Sequence, residues 1–146
     1  MEVRFEYPEI PPSVNKLYAV VHGRKILTKE GRAFKNGFVG SLGGLDARVF
    51  TQFHADPLRE YELDLWFYVA EGRLYNIGFG VDKRVQSPFA DFDVDNLVKV
   101  TADAVAALVG IRDRNNFDIH EHKRVADARG ERVVAILRPS PMVEGP

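Results

Sequence analysis

The residues best suited to chemistry in this chain are carboxylates grouped around one lysine. They are Asp93, Asp95, Lys99, Asp103 and Asp113. Aspartate and lysine are costly to bury unless they are paired or bind a metal, yet these residues alternate with apolar ones that suit a protein core. Carboxylates that converge repel one another, and a divalent cation relieves that repulsion. The group therefore favours a Mg²⁺ site for phosphodiester hydrolysis, with Mn²⁺ as the alternative ion.

A strand that leads into a helix would bring these side chains together. Asp93 and Asp95 point the same way on a strand, since strand side chains repeat every two residues. Asp95, Lys99 and Asp103 share one helix face, because residues four apart are neighbours there. The expected metal ligands are Asp93, Asp95 and Asp113, the last folding back from a loop after the helix. Lys99 would contact the scissile phosphate, and Asp103 would position Lys99.

Simpler interpretations of the same residues remain open. A D-x-D-N sequence before a helix is also a common cap with an Asx-turn. Asp95, Lys99 and Asp103 would then form ordinary pairs on a solvated helix face, each contributing about 0.3–0.5 kcal/mol. His120 and His122 are a second possible metal pair, because their spacing on a strand can bind zinc. The sequence offers no evident third ligand for them.

Composition narrows the class of protein. The chain has 146 residues, a net charge of −1 and 45% hydrophobic residues, which suits one globular domain. It contains no cysteine, which excludes disulfides, cysteine-ligated metals and thiol catalysis. No segment approaches the ~18 apolar residues of a membrane span, and no signal-peptide pattern or nucleotide-binding fingerprint is present. We expect a cytoplasmic protein that associates with no membrane and uses no nucleotide cofactor.

Hydrophobic periodicity predicts an α+β fold. The predicted strands cover residues 3–7, 61–69, 117–126 and 132–137, and the predicted helices cover residues 29–49 and 95–109. Thr28 is the expected N-cap of the first helix, which should break near Gly43-Gly44. Residues 17–26 should form a hairpin through Gly23, and the last two strands should form another, turned at residues 127–130.

These elements predict one domain over residues 1–138. Its mixed sheet would carry antiparallel hairpins and two main helices packed on it. Residues 72–88, which contain three glycines, form an irregular insertion between the elements. Residues 139–146 should be a disordered tail.

Three segments, in this order and approximate spacing, point to one nuclease family. They are PPSVNKLY at 11–18, LTKEGRAFK at 27–35, and DVDNLVK at 93–99 with Asp103-Ala104 and Asp113 following. Together they resemble the RusA family of Holliday junction resolvases, over residues 3–137. The third segment is the most specific of the three.

The resemblance implies a RusA-like α+β fold and a homodimer that makes paired symmetric nicks in four-way DNA junctions. Such an endonuclease depends on Mg²⁺ and acts in DNA recombination and repair. Asp93 and Asp95 match the family's first two aspartates, Lys99 its catalytic lysine and Asp113 its third aspartate. A four-way junction is roughly two-fold symmetric, so two copies of one acidic site are an economical way to cut it.

The DNA contacts expected on this basis involve polar and basic residues from several segments. They are Asn15, Lys16, Arg84, Arg112 and Arg114. The chain departs from the family pattern at Asp91, which adds negative charge beside the motif, and in the long insertion. Asp118 is an alternative to Asp113 as third carboxylate, or a supporting residue. The alternative function is a branched-DNA-binding protein of the same fold that has lost efficient cleavage, motivated by Asp91 and the near-neutral net charge.

Overall fold

The computed structural model of the protein describes residues 2–12, 14–41, 56–92 and 94–146. Its strands are β1 (Val3–Tyr7), β2 (Tyr18–Val21), β3 (Arg24–Leu27), β4 (Tyr61–Val69), β5 (Asn116–Val125) and β6 (Arg132–Pro139). Its helices are α1 (Val14–Leu17), α2 (Lys29–Gly40), α3 (Glu71–Leu74), α4 (Asp95–Val109) and a 3₁₀ helix (Asp113–Asn115). The predicted α+β class is confirmed. None of the described helices is both long and apolar enough to cross a lipid bilayer.

Four strands form one mixed sheet in the order β1-β6-β4-β5. Strand β6 runs antiparallel to both neighbours, and β5 runs parallel to β4. The predicted hairpin of the last two strands is therefore wrong, because β4 lies between them. Val133, Val134 and Ala135 are all buried, so β6 buries side chains on both faces. A strand of this kind belongs in the interior of a sheet, and β6 accordingly lies between β1 and β4.

Strands β2 and β3 form a separate two-stranded hairpin, as predicted. Its turn residues, His22 and Gly23, have φ angles of 50° and 74°. Two consecutive positive φ angles are typical of a type I′ turn, whose twist matches that of the flanking strands. Both strands of the hairpin are largely exposed, with Lys25 on the face that carries Tyr18 and Arg24 on the opposite face.

Helix α2 ends at Gly40, earlier than the sequence predicted. The Ser41 backbone N–H reaches carbonyls of the last turn, and its hydroxyl donates to the Phe38 carbonyl at 2.6 Å. These bonds satisfy acceptors that a continuing helix would have used. The predicted break at Gly43-Gly44 lies outside the described residues.

The start of α2 is fixed by Thr28, as predicted. The Gly31 N–H donates to the Thr28 hydroxyl oxygen at 3.2 Å, and the hydroxyl donates to the Leu17 carbonyl at 3.1 Å. We expect Thr28→Ala to lower the free energy of unfolding by about 1 kcal/mol, because an orphan helix donor and the link to α1 are lost together. Urea unfolding measures the change. Thr28→Ser keeps the hydroxyl and should stay close to wild type; equal losses in both variants would contradict this account.

Helices α2 and α4 cover one face of the four-stranded sheet, which we call the inner face. The core joins Phe38 of α2, Leu65 and Phe67 of β4, and Leu97 and Val105 of α4. The opposite face, the outer face, carries the alternate residues of each strand. This two-layer arrangement buries the apolar side of every main element and sets the helices at fixed positions on the sheet.

Two regions predicted to be irregular contain more structure than expected. The insertion includes α3, and its base is closed by a bridge between Tyr75 and Phe89. The Asn76 side chain donates to the Phe89 carbonyl at 2.9 Å and strengthens that closure. At the C-terminus β6 continues through Pro139, and the Ser140 N–H donates to the Glu60 carbonyl at 3.0 Å. Residues 141–146 carry no helix or strand, and their disorder stays a prediction.

Candidate metal centre

Helix α4 presents Asp95 and Lys99 of the motif to solvent. Its apolar stripe is buried against the sheet, as predicted, and this packing fixes the rotation of the helix. Asp95 is the first residue of the helix and is exposed. Lys99 is exposed one turn later, and Asp103 is half-buried two turns later. The three residues therefore lie along one face, in the order that the spacing predicted.

Asp113 is brought back toward this face by the chain that follows α4. Gly110 ends the helix with a φ of 78°, a left-handed conformation that favours glycine. The buried Asn115 then fixes the 3₁₀ helix. Its side-chain oxygen accepts from the Arg112 N–H at 3.0 Å, and its amide donates to the Pro57 and Arg59 carbonyls at 2.9 and 3.0 Å. Asp113 is thus held by a well-bonded turn.

Asp103 is close enough to Asp113 for their charges to interact, although among the described residues Asp95, Asp103 and Asp113 do not bring three ligand atoms within 4.8 Å of one another. Burial raises the pKa of Asp103, and the negative charge of Asp113 raises it further. The ammonium groups of Lys35 and Lys99 act in the opposite direction and lower this pKa. Two carboxylates from separate elements therefore lie near two lysines from separate helices. Oxygen ligands of this kind suit Mg²⁺, which would replace the repulsion between the carboxylates by attraction.

Tyr18 of β2 completes the group from the hairpin side. The Lys99 ammonium lies 5.9 Å from the centroid of the Tyr18 ring, and the Lys25 ammonium lies 4.6 Å from it. The Tyr18 hydroxyl is buried and has no hydrogen-bond partner among the described residues. Burial raises the pKa of Tyr18, with Asp103 as the second cause. The ring is therefore a neutral surface between two cations, a favourable position for both.

The raised pKa of Asp103 predicts how stability depends on pH. The folded protein holds the Asp103 proton more tightly than the unfolded chain, whose ordinary value is 3.8. The stability due to neutral Asp103 is therefore complete below that value and is lost as pH rises through the folded pKa. We expect Asp103→Asn, which cannot ionise, to gain stability relative to wild type as pH rises. Urea unfolding of both proteins in EDTA, from below pH 3.8 to above the folded pKa of Asp103, measures the difference between their free energies of unfolding. A difference that does not change with pH would contradict the prediction.

The other predicted site residues lie in several places. Asp93 is outside the described residues, so its role stays a prediction. The expected DNA contacts Lys16, Arg84, Arg112 and Arg114 are exposed, and Asn15 lies in α1. Arg112 and Arg114 flank Asp113 in the chain, whereas Arg84 pairs with Asp82 at 3.0 Å within the insertion. DNA contact by any of these residues stays a prediction.

Asp118 is separated from the group on α4 by the sheet itself. It pairs in register with Glu62 of β4, whose neighbours Tyr61 and Leu63 are buried on the inner face. Asp118 therefore lies on the outer face, where it accepts a hydrogen bond from the Ser140 hydroxyl. Of the two candidates for the third carboxylate, only Asp113 lies beside α4.

A second acidic group on the outer face was missed in the sequence. Glu62, Asp64 and His120 bring ligand atoms within 4.8 Å of one another. His120 lies beside both because β5 runs parallel to β4, a pairing that no local pattern reveals. Arg138 pairs with Asp64 and approaches Glu62 at 3.6 Å, so an arginine already neutralises these carboxylates. We interpret this group as an ion-pair network.

His120 and His122, whose spacing made them a second possible metal pair, have different surroundings on the outer face. His122 stacks on Trp66, with ring centroids 3.8 Å apart and an interplanar angle of 17°. It contributes no atom to the metal-like group that includes His120. The two histidines share a strand face, but each has a different partner on β4.

No protein-family model matches the chain, and no curated protein matches it either. The fold and site define an α+β domain in which Asp103 of the longest described helix interacts with the charges of Asp113, Lys35 and Lys99. The function is therefore argued from this geometry.

Proposed function

We propose that this protein is a Mg²⁺-dependent endodeoxyribonuclease that resolves four-way DNA junctions by paired nicks. The observation that supports the proposal is that half-buried Asp103 lies within electrostatic range of Asp113, Lys35 and Lys99. Carboxylates supply the oxygen ligands that Mg²⁺ prefers, and the lysines supply positive charge for a phosphodiester. The resemblance of the α4 motif to that of the RusA family supports the same reaction class.

Each residue of the group has a role in this proposal. Asp95 and Asp113, together with Asp93 from the motif, would hold the metal. Asp103 is half-buried beside Asp113, so we propose it as a further ligand or as a hydrogen-bond acceptor for a bound water. A bound Mg²⁺ would supply an acidified water and stabilise negative charge on the reacting phosphate. Lys99 would contact that phosphate, held in position by Tyr18.

Recognition of DNA would rely on shape and on phosphate contacts. Arg112 and Arg114 lie on either side of Asp113 and are exposed, and Lys16 is exposed on α1 next to α2 and α4. Phosphate contacts position a protein on DNA without reading its sequence. Binding of this kind weakens steeply with salt, because counterions are released on association. The proposed protein should therefore bind DNA more tightly at low ionic strength.

Cleavage of an end-labelled synthetic four-way junction, beside a linear duplex of the same sequence, tests the proposal. We expect paired symmetric nicks in the junction with Mg²⁺, none with EDTA and none with Asp95→Asn. Binding should be measured in parallel by mobility shift, with Asp95→Asn expected to retain it. Equal cutting of the duplex, or cutting in EDTA, would overturn the proposal.

A binding function without cleavage is the second candidate. The exposed Asp91 and the net charge of −1 favour it, since both weaken attraction to a polyanion. Selective junction binding with no nicks in either Mg²⁺ or Mn²⁺ would establish this alternative.

A further inference from the structure

Strand β5 forms one edge of the four-stranded sheet. It pairs with β4 on one side, and no strand pairs with its other side within the part of the chain that the structure describes. The register with β4 shifts only between Tyr61 and Glu62, so β5 is regular from Asp118 to Val125. A long regular edge strand is a template for another strand unless its ends or side chains prevent pairing.

The backbone of β5 presents hydrogen-bonding groups at that edge, one of which, the Lys123 carbonyl, already accepts from the Arg124 side chain. The Ala126 N–H donates to the Val69 carbonyl of β4 at 2.8 Å. Backbone groups of successive strand residues point to alternate sides, so the N–H and C=O groups of Ile119, Glu121, Lys123 and Val125 point away from β4. The Lys123 carbonyl accepts from the Arg124 guanidinium at 2.8 Å, which agrees with this direction.

The same four residues lie on the inner face at the edge of the sheet, where α3 packs beside β5 and Lys123 lines a pocket with Leu74, Tyr75 and Phe89. They pair in register with buried β4 residues, from Leu63 to Val69, yet all four are exposed. Ile119 keeps 42% of its surface exposed and Val125 keeps 43%. Along the strand, the order of these four exposed side chains is therefore apolar, acidic, basic and apolar.

This order is self-complementary when two copies run antiparallel. We propose that β5 pairs with β5 of a second copy about a two-fold axis at His122, which joins the two sheets into one. Ile119 then faces Val125 of the other copy, and Glu121 faces Lys123. Each contact occurs twice, as an isologous interface requires. Opposite charges and apolar pairs directly across an antiparallel ladder both stabilise it.

The neighbouring registers are disfavoured by like charges. A shift of two residues in one direction places Glu121 opposite Glu121 of the other copy. The same shift in the other direction places Lys123 opposite Lys123. Shifts of one residue would turn the inner face of one copy to the outer face of the other. The proposed register is therefore favoured in two ways. Its own pairs attract, and a shift of two residues in either direction brings like charges together.

The pairing has a consequence for cleavage, and that consequence rests on the proposed function. The two-fold axis is perpendicular to the joined sheet, so both inner faces lie on the same side. The two copies of α4, with their acidic groups, would then face one DNA molecule together. Two symmetric nicks in a junction need two sites arranged in this way.

Sedimentation velocity on the DNA-free protein, over a concentration series, tests the pairing without reference to cleavage. We expect a dimer for wild type and a dissociation constant raised about 10-fold or more by Glu121→Lys or by Lys123→Glu, since each turns two attractive pairs into repulsive ones. The double variant E121K/K123E restores both pairs and should dimerise again. Arg24→Glu, an equal charge change on the exposed β2–β3 hairpin, should leave the dissociation constant unchanged.

The outcomes separate this inference from the proposed function. A wild-type protein that is monomeric at every concentration would overturn the pairing, as would a dimer that the single swaps do not weaken or that the double variant does not restore. A monomer that still resolves junctions would overturn the pairing alone. A dimer that obeys the charge-swap pattern but cuts no junction would overturn the nuclease and leave the interface established.

Discussion

Replacing Asp113 with asparagine is expected to slow Mg²⁺-dependent junction cleavage by about 100-fold or more while junction binding persists. The substitution keeps the size of the side chain and the turn around Asn115, but it removes one charged oxygen ligand. Single-turnover rates at saturating enzyme isolate the cleavage step from binding. The expected loss should become smaller at high metal concentration if the variant mainly weakens metal affinity.

Glu62→Gln is the matched control on the outer face of the sheet. It makes the same acid-to-amide change in the other acidic group, so it should leave the cleavage rate close to wild type. Loss of cleavage in Glu62→Gln with retention in Asp113→Asn would move the metal centre to the outer face. Carboxyl NMR gives a second measurement: Asp113→Asn should lower the pKa of Asp103, because the neighbouring negative charge is gone.

Local patterns predicted the elements with the strongest periodicity. Strand β4 and helix α4 begin and end where the sequence placed them, since alternation in one and an apolar stripe in the other span the whole element. The pairing of β5 and β6 was wrong because adjacency in the chain favours a hairpin. Their actual neighbours are set by burial: β6 has both faces covered and needs a strand on each side. That requirement is tertiary and appears only when the sheet is assembled.

The candidate site shows the same division between local and tertiary information. Helical spacing alone predicted that Asp95, Lys99 and Asp103 share a face. The contributions of Tyr18 and Lys35 could not be predicted, because they come from β2 and α2 and depend on how those elements pack on α4. The half-burial of Asp103 also depends on that packing, so it could not be predicted either. It changes Asp103 from an expected positioning residue into a half-buried carboxylate that interacts with the charge of Asp113.

Phe38→Ala is expected to have the largest effect on stability, about 3–5 kcal/mol. Phe34 and Phe38 of α2 are both buried. The Phe38 ring has no exposed surface and packs against Phe5, Tyr7 and Phe34, with centroids 6.4, 5.6 and 6.0 Å away. Removing it leaves a cavity and breaks aromatic contacts that join α2 to β1.

Urea unfolding measures this loss, with Phe89→Ala as the matched control. Phe89 keeps 65% of its surface exposed, so its truncation should change stability by about 0.5 kcal/mol or less. Equal effects of the two variants would show that α2 is not docked on the sheet as described. Since α2 also carries Lys35, Phe38→Ala should disturb the electrostatics of Asp103 from a distance. A change in the Asp103 pKa in Phe38→Ala, whose acidic residues are all intact, would show that core packing of α2 affects the electrostatics of the candidate site.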